Sequence, residues 1–272
     1  MRAIAVLSLA ALPVALPAVA DEAEVQALVE AMKLPGIIEV MQQEGTAYGA
    51  SVGETLFPDI ASGVWADAVG DIYDLEDMQQ TAVANLADAL EGEDVGAMLG
   101  FFTSEPGATI AELERSAREA MLEEDVEQMA REAAAIAMAD ETGRHQQLER
   151  FVQANDLIEG NVQGGLNGSL NFMLGLASGG GVPTMSEGDI LAQVWSQEPE
   201  IRRSTRDWTY SFLTLAYEPL EDGELDAYIA FSETEPGQAL NDALFSAFDA
   251  MYNDLNRELG QAAARYVVGM QL

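Results

Sequence analysis

Residues 240–266, LNDALFSAFDAMYNDLNRELGQAAARY, decide the fold class. Leu240, Leu244, Phe248, Met251, Leu255, Leu259, Ala262 and Tyr266 recur at steps of three and four. That spacing lays apolar side chains along one face of an α-helix. No stretch alternates with the period of two that a half-buried strand needs. The chain therefore reads as all-α.

The same period extends outward from this segment. Leu75, Met78, Ala82, Leu86 and Leu90 follow Asp74, a residue suited to capping a helix start, and stop at Gly92. Val95, Met98, Leu99 and Phe102 share one face, after which Ser104 is expected to cap a long helix running to about Ala139. Near the other end, Glu22 to Lys33 forms an amphipathic run halted at Pro35, where a second helix begins with proline in its tolerated first turn. Pro58 opens a third.

Residues 160–186 differ in kind, because they carry no charge and include Gly160, Gly164, Gly165, Gly168 and Gly175. A membrane span is a poor reading, since Asn161, Gln163, Asn167, Ser169 and Asn171 would enter hydrocarbon without partners. Glycines four residues apart instead predict an internal helix that a neighbour approaches closely. A loop from Gly179 to Pro183 follows.

Sliding the chain against itself by 130 residues aligns residues 60–124 with 190–254 at 15 identities in 65 positions. Composition alone would give roughly 7 to 8 per cent. Val64-Trp65 falls on Val194-Trp195, Phe101 on Phe231, Glu105-Pro106-Gly107 on Glu235-Pro236-Gly237, and Ala120-Met121 on Ala250-Met251. Upstream, Ile38-Glu39 matches Ile158-Glu159 at an offset of 120. The expected organisation is two tandem, related helical units with pseudo-twofold symmetry, at residues 21–150 and 151–272. A solenoid needs more copies than two to bury a continuous core.

Within the repeated segments, Asp94 to Gly107 and Glu224 to Gln238 each show an acidic start, an apolar turn, Phe101 or Phe231, and then Gly107 or Gly237 behind a hydroxyl residue. This pattern resembles the signature of the bacterial exported family called domain of unknown function 2059. Pro106 and Pro236 stand one place late against that signature, and Ser232 replaces its second aromatic. The resemblance implies a helical, exported bacterial domain. Physically the motif is a helix corner, with Ser104 or Thr234 expected to cap and Glu105 or Glu235 facing the positive helix end.

Residues 1–20 read as a secretory signal peptide: Arg2, an apolar run from Ala3 to Leu12, and Ala18-Val19-Ala20 before Asp21. A periplasmic or secreted product follows, with cleavage near Ala20. There is no cysteine, which excludes thiol catalysis, thiolate metal sites and lipid attachment at the cleavage point. Forty-seven acidic against twelve basic residues give a net charge of −35, a field that repels nucleic acid and anionic membranes.

The remaining constellations carry little chemistry. His145 is the single histidine and is expected on an exposed helical face, with no second ligand for zinc, copper or haem. Asp67, Asp71 and Asp74 share a face that solvent explains, and no calcium-loop pattern accompanies them. Gly165 to Ser169 lacks the lysine of a phosphate loop. Arg202, Arg203 and Arg206 are expected to pair with the acidic surface. The two tryptophans fill two cores more readily than they line a ligand cleft. The candidate functional residues are nonetheless Trp65, Trp195, Phe101, Phe231, Glu105 and Glu235, with a groove between the halves lined by the two tryptophans the place for an apolar ligand or partner helix. No cofactor, metal or catalytic set is expected. The function expected is non-catalytic binding or envelope maintenance by a soluble protein that is not integral to the membrane. Its alternatives are a carboxylate-dependent hydrolase and a lipid-surface accessory using residues 160–186.

Overall fold

The computed structural model describes residues 22–58, 62–181 and 185–269; the stretch read as an export signal and the end of the glycine loop lie outside them. Among the described residues every regular element is a helix. They are α1 (Glu22–Ala31), α2 (Leu34–Leu56), α3 (Ser62–Ile72), α4 (Leu75–Ala89), α5 (Val95–Phe102), α6 (Gly107–Ala120) and α7 (Glu124–Ala139), followed by α8 (Gly143–Ala154), α9 (Leu157–Ser178), α10 (Glu187–Trp195), α11 (Glu198–Tyr217), α12 (Asp222–Ser232) and α13 (Glu235–Gly269). None of them is long and apolar enough to cross a membrane.

Local chemistry sets several of these boundaries. Asp74 accepts a hydrogen bond from the backbone of Asp77 and starts α4 as its sequence implies. Asp94 does the same for α5 through Ala97. The corner motif behaves differently in its two occurrences. Thr234 Oγ1 accepts from the Gly237 amide at 3.1 Å and so caps the start of α13. Ser104 does not cap: its hydroxyl donates back to the carbonyls of Gly100 and Phe101, and α6 starts at Gly107 without a side-chain cap.

The long helix expected from Ser104 to Ala139 is two helices. Residue 123 turns extended (ψ 118°) and ends the continuity between α6 and α7. Ala117 and Ala134 belong to the same buried cluster, and a straight helix could not bring both to it. The break lets α7 fold back onto α11 while α6 packs on α2 and α11.

Three apolar clusters form the interior, and each draws residues from both sides of position 150. The helix read first in the sequence, α13, runs through two of them: Leu240, Ala243 and Ala247 join Leu28, Leu86 and Met98, while Met251, Leu255 and Leu259 join Trp65, Val69 and Tyr73.

The glycines of α9 serve its approach to α13. A Cβ on Gly175 would lie 2.2 Å from the carbonyl oxygen of Arg257, and one on Gly260 would lie 2.1 Å from that of Phe172. Backbone meets backbone here, as small residues permit. The uncharged segment also satisfies its amides internally: Asn171 donates to Asn253 at 2.8 Å and accepts from Arg257 at 2.7 Å.

Candidate functional site

Helix α6 reads GATIAELERSAREA, and its buried face carries Ile110, Ala111 and Ala117. Glu114 stands on that face, four residues after Ile110 and three before Ala117, so the helix carries a carboxyl inward. There it meets aromatic residues from α11 and α12. Tyr217, 1 % exposed, donates its hydroxyl to Glu114 Oε1 at 2.5 Å, and the Tyr228 phenol stands near enough to the same carboxyl to favour its charged form. Around them Phe151 lies 5.6 Å from Tyr217 and 4.8 Å from Tyr228, ring centroid to centroid.

These residues line a cavity of about 260 Å3, whose other walls include Phe102, Trp208, Leu213, Phe231 and Leu240. What remains accessible of Glu114 is its share of that wall. Burial raises its carboxyl pKa to about 7, although the two tyrosine hydroxyls pull the other way by stabilising the carboxylate. Burial likewise pushes both phenols well above their ordinary range, with the nearby Glu114 adding to it.

A second chamber of about 700 Å3 adjoins the first. Arg118, Leu157, Asn161, Asn241 and Leu244 line both. The guanidinium of Arg118 pairs with Glu44 at 2.5 Å and lies 4.8 Å from the centre of the Trp208 ring. Its Nε is buried without a partner. Asp249, Tyr73 and Tyr252 face the second chamber, and desolvation raises the pKa of Asp249. Together the chambers match the size of ordinary ligand pockets, roughly 300–1,000 Å3. Walls come from α2, α6, α9, α11 and α13, on both sides of the expected division.

The residues singled out in the sequence are distributed differently from expectation. Trp65 is a core residue, 4 % exposed, whose ring nitrogen donates to the Gly49 carbonyl at 2.8 Å. Trp195 is 64 % exposed, so the two do not line a shared groove. The reason is their cover: α3 is packed by α2 and α13, whereas Trp195 ends α10, which packs mainly on α9. Phe101 and Phe231 do come together, stacked at 4.2 Å and 7°, and Phe231 continues into the cavity wall. Glu105 and Glu235 are exposed at their corners.

His145 is not on an exposed face. It is 4 % exposed, beside Tyr210 and 3.7 Å from Glu149, because Leu148 and Val152 follow it on the buried side of α8. Two of the three arginines pair with acids as expected, Arg202 with Glu159 and Glu198 and Arg203 with Glu200, whereas Arg206 lies over the Tyr210 ring, 5.7 Å from its centre. Among the described residues no group of three or more acids and histidines is placed to hold a metal ion.

No curated protein and no solved structure matches the chain. A match to a protein family takes in nearly all of α4, the whole of α5 and α6 and most of α7, and with them Phe101, Glu114 and Arg118; it includes the motif at Asp94 to Gly107 and not the one at Glu224 to Gln238. Residues 76–135 of this chain match the model of a family described as an uncharacterized protein conserved in bacteria, DUF2059.

Proposed function

We propose that this is an exported bacterial binding protein, periplasmic and without catalysis, that holds a small, largely apolar molecule in the paired chambers. The reading of residues 1–20 as an export signal and the bacterial family match support the compartment.

One observation carries the binding role. In this reading the halves are copies: α1 to α6 and α8 to α13 follow in the same order, and α2 and α9 each begin after a left-handed residue, Lys33 (φ 59°) and Asp156 (φ 48°). Pairing Leu34 with Leu157, three places beyond the offset of 120 that sets Ile38 on Ile158, and keeping the offset of 130 downstream, carries six of the eight residues around one small gap onto the wall of the first chamber; Leu86 and Ala247 fall instead on Ala216 and Ala117, which are packed in the core. Leu34, Ile38, Ala82, Val83, Leu244 and Phe248 close around a gap of only about 10 Å3. Their counterparts Leu157, Asn161, Phe212, Leu213, Glu114 and Arg118 line the 260 Å3 cavity. The same place in the fold is filled with apolar side chains on one side and held open with polar ones on the other. Burying a carboxyl and a guanidinium costs free energy that packing does not require. A bound molecule supplies the reason for keeping them.

Titration with the neutral dye Nile red tests this. Wild-type protein is expected to bind one equivalent and to change Trp208 emission. Asn161→Trp, at an exposed position lining both chambers, is expected to keep the melting temperature and weaken binding at least about tenfold, as obstruction of a pocket would. Absence of binding by wild type, or undiminished binding by the folded variant, rejects the proposal.

A second reading rests on the carboxyl titrating near neutrality between two phenols, a setting in which a proton can be taken and returned. Carboxylate-dependent hydrolysis would then be seen as turnover of chromogenic esters or glycosides by wild type and its loss in Glu114→Gln. No turnover by wild type across such a panel rejects it.

A further inference from the structure

Among the charged groups around the first chamber, Glu114 stands without a cation. From α11 it faces Tyr217, and from α12 Tyr228, both neutral phenols. Helix α5 presents no titratable side chain, and α2 presents Glu44, which is paired with Arg118. On α6 itself, Arg115 is occupied by Glu112 and Glu119, while Arg118 is held by Glu44 and Trp208. In the second chamber desolvation likewise raises Asp249, and the cation of that wall, Arg118, is the one held by Glu44.

The surroundings of Glu114 are rings. Phe151, Tyr217 and Tyr228 form a mutual cluster, with Tyr217 and Tyr228 6.2 Å apart and nearly perpendicular, and Phe102 stands 6.2 Å from Tyr228. Aromatic faces attract a cation, most strongly when it is desolvated. Outside the chambers, the net charge of −35 raises the local concentration of cations and lowers that of anions.

Resting on the binding role proposed above, we infer that the ligand is an amphipathic cation: an ammonium head beside Glu114 within the rings of Phe151, Tyr217 and Tyr228, and an apolar chain passing Leu244 into the second chamber. A cationic head supplies the counter-charge that the protein withholds. A carboxylate head would meet an acid, and the cation on that wall, Arg118, is already paired with Glu44 apart from its orphaned Nε.

The test uses the protein from residue 21 onward and three probes of one chain length: decyltrimethylammonium, decanol and decanoate, each titrated calorimetrically below its micelle concentration. At pH 8 the cation is expected to bind at least about tenfold more tightly than the carboxylate, a modest demand for a desolvated cation–aromatic site. Lowering the pH to 5.5 protonates Glu114 and shrinks that ratio, and Glu114→Gln shrinks it at pH 8. Decanoate binding as tightly as the cation, or a ratio unchanged in Glu114→Gln, overturns the inference. If decanol binds but the cation gains nothing over it, the ligand class is wrong and the binding role stands. Failure of all three probes removes both.

Discussion

Phe101 and Phe231 lie face to face, their ring centroids 4.2 Å apart and their planes within 7°. They hold the same place in the two occurrences of the corner motif. Behind each ring the following glycine backs onto that phenylalanine's own carbonyl: a Cβ on Gly107 would come within 2.3 Å of the Phe101 oxygen, and one on Gly237 within 2.0 Å of the Phe231 oxygen. The motif that reads as a signature in the sequence is thus a joint at which two helix corners meet.

The joint predicts an energetic coupling. In a double-mutant cycle of Phe101→Ala and Phe231→Ala, followed by urea denaturation, the two changes should interact by about 0.5–1.5 kcal/mol beyond their separate costs. Strict additivity would mean that the rings touch without supporting one another.

The corner caps should differ in value. Thr234→Ala removes the acceptor for the Gly237 amide and should cost about 1 kcal/mol of unfolding free energy. Ser104→Ala removes only bonds back to carbonyls at the end of α5 and should cost under about 0.5 kcal/mol. Equal costs would contradict the two geometries.

Glycine substitutions should divide sharply by position. Gly175→Ala must push apart α9 and α13 against a backbone oxygen 2.2 Å away, for a loss of about 1–3 kcal/mol or more. Gly70 is exposed on α3 with nothing within 4 Å of the added carbon, and Gly70→Ala should gain about 0.5–1 kcal/mol. Thermal melts of both variants check this.

Glu114 should leave a signature in the pH dependence of stability. Its carboxyl moves from 4.5 to about 7 on folding, so between those values the folded state holds a proton that the unfolded chain releases. The contribution is full below about pH 4.5, declines as pH rises toward 7, and amounts to roughly 3 kcal/mol across that window. Glu114→Gln keeps a neutral group throughout. Relative to wild type it should therefore gain on the order of 3 kcal/mol between pH 4.5 and 8 in chemical denaturation. A constant difference across that range would show that Glu114 titrates normally in the folded protein.

The helical class, α13 and the glycine-mediated approach of α9 were legible because each is a periodic signal repeated over many residues, as with Leu240 to Tyr266. The break between α6 and α7 was not, since residues 121–123 contain neither glycine nor proline, and the bend is imposed by the shared cluster of Ala117 and Ala134. Trp195 shares its register with Trp65 but lacks the covering helices that bury the latter. Glu114 was hidden by abundance, one acid among forty-seven. The usable signal was its position rather than its type: it interrupts the apolar stripe between Ile110 and Ala117, as His145 begins that of Leu148 and Val152. A charged residue on an inward stripe singles out what a count of charges cannot.

The passage of α13 through two clusters also governs when the fold can form. Residues 25–111 supply most of the cluster around Leu28 and Met98, yet that cluster is closed by Leu240, Ala243 and Ala247, and the one around Trp65 by residues 251–264. Contacts so distant along the chain are made last and at the greatest loop-closure cost. The amino-terminal half therefore has no finished interior until the carboxyl-terminal segment has been synthesised. Shortening the carboxyl-terminal helix would thus open interiors on both sides of the chain's midpoint.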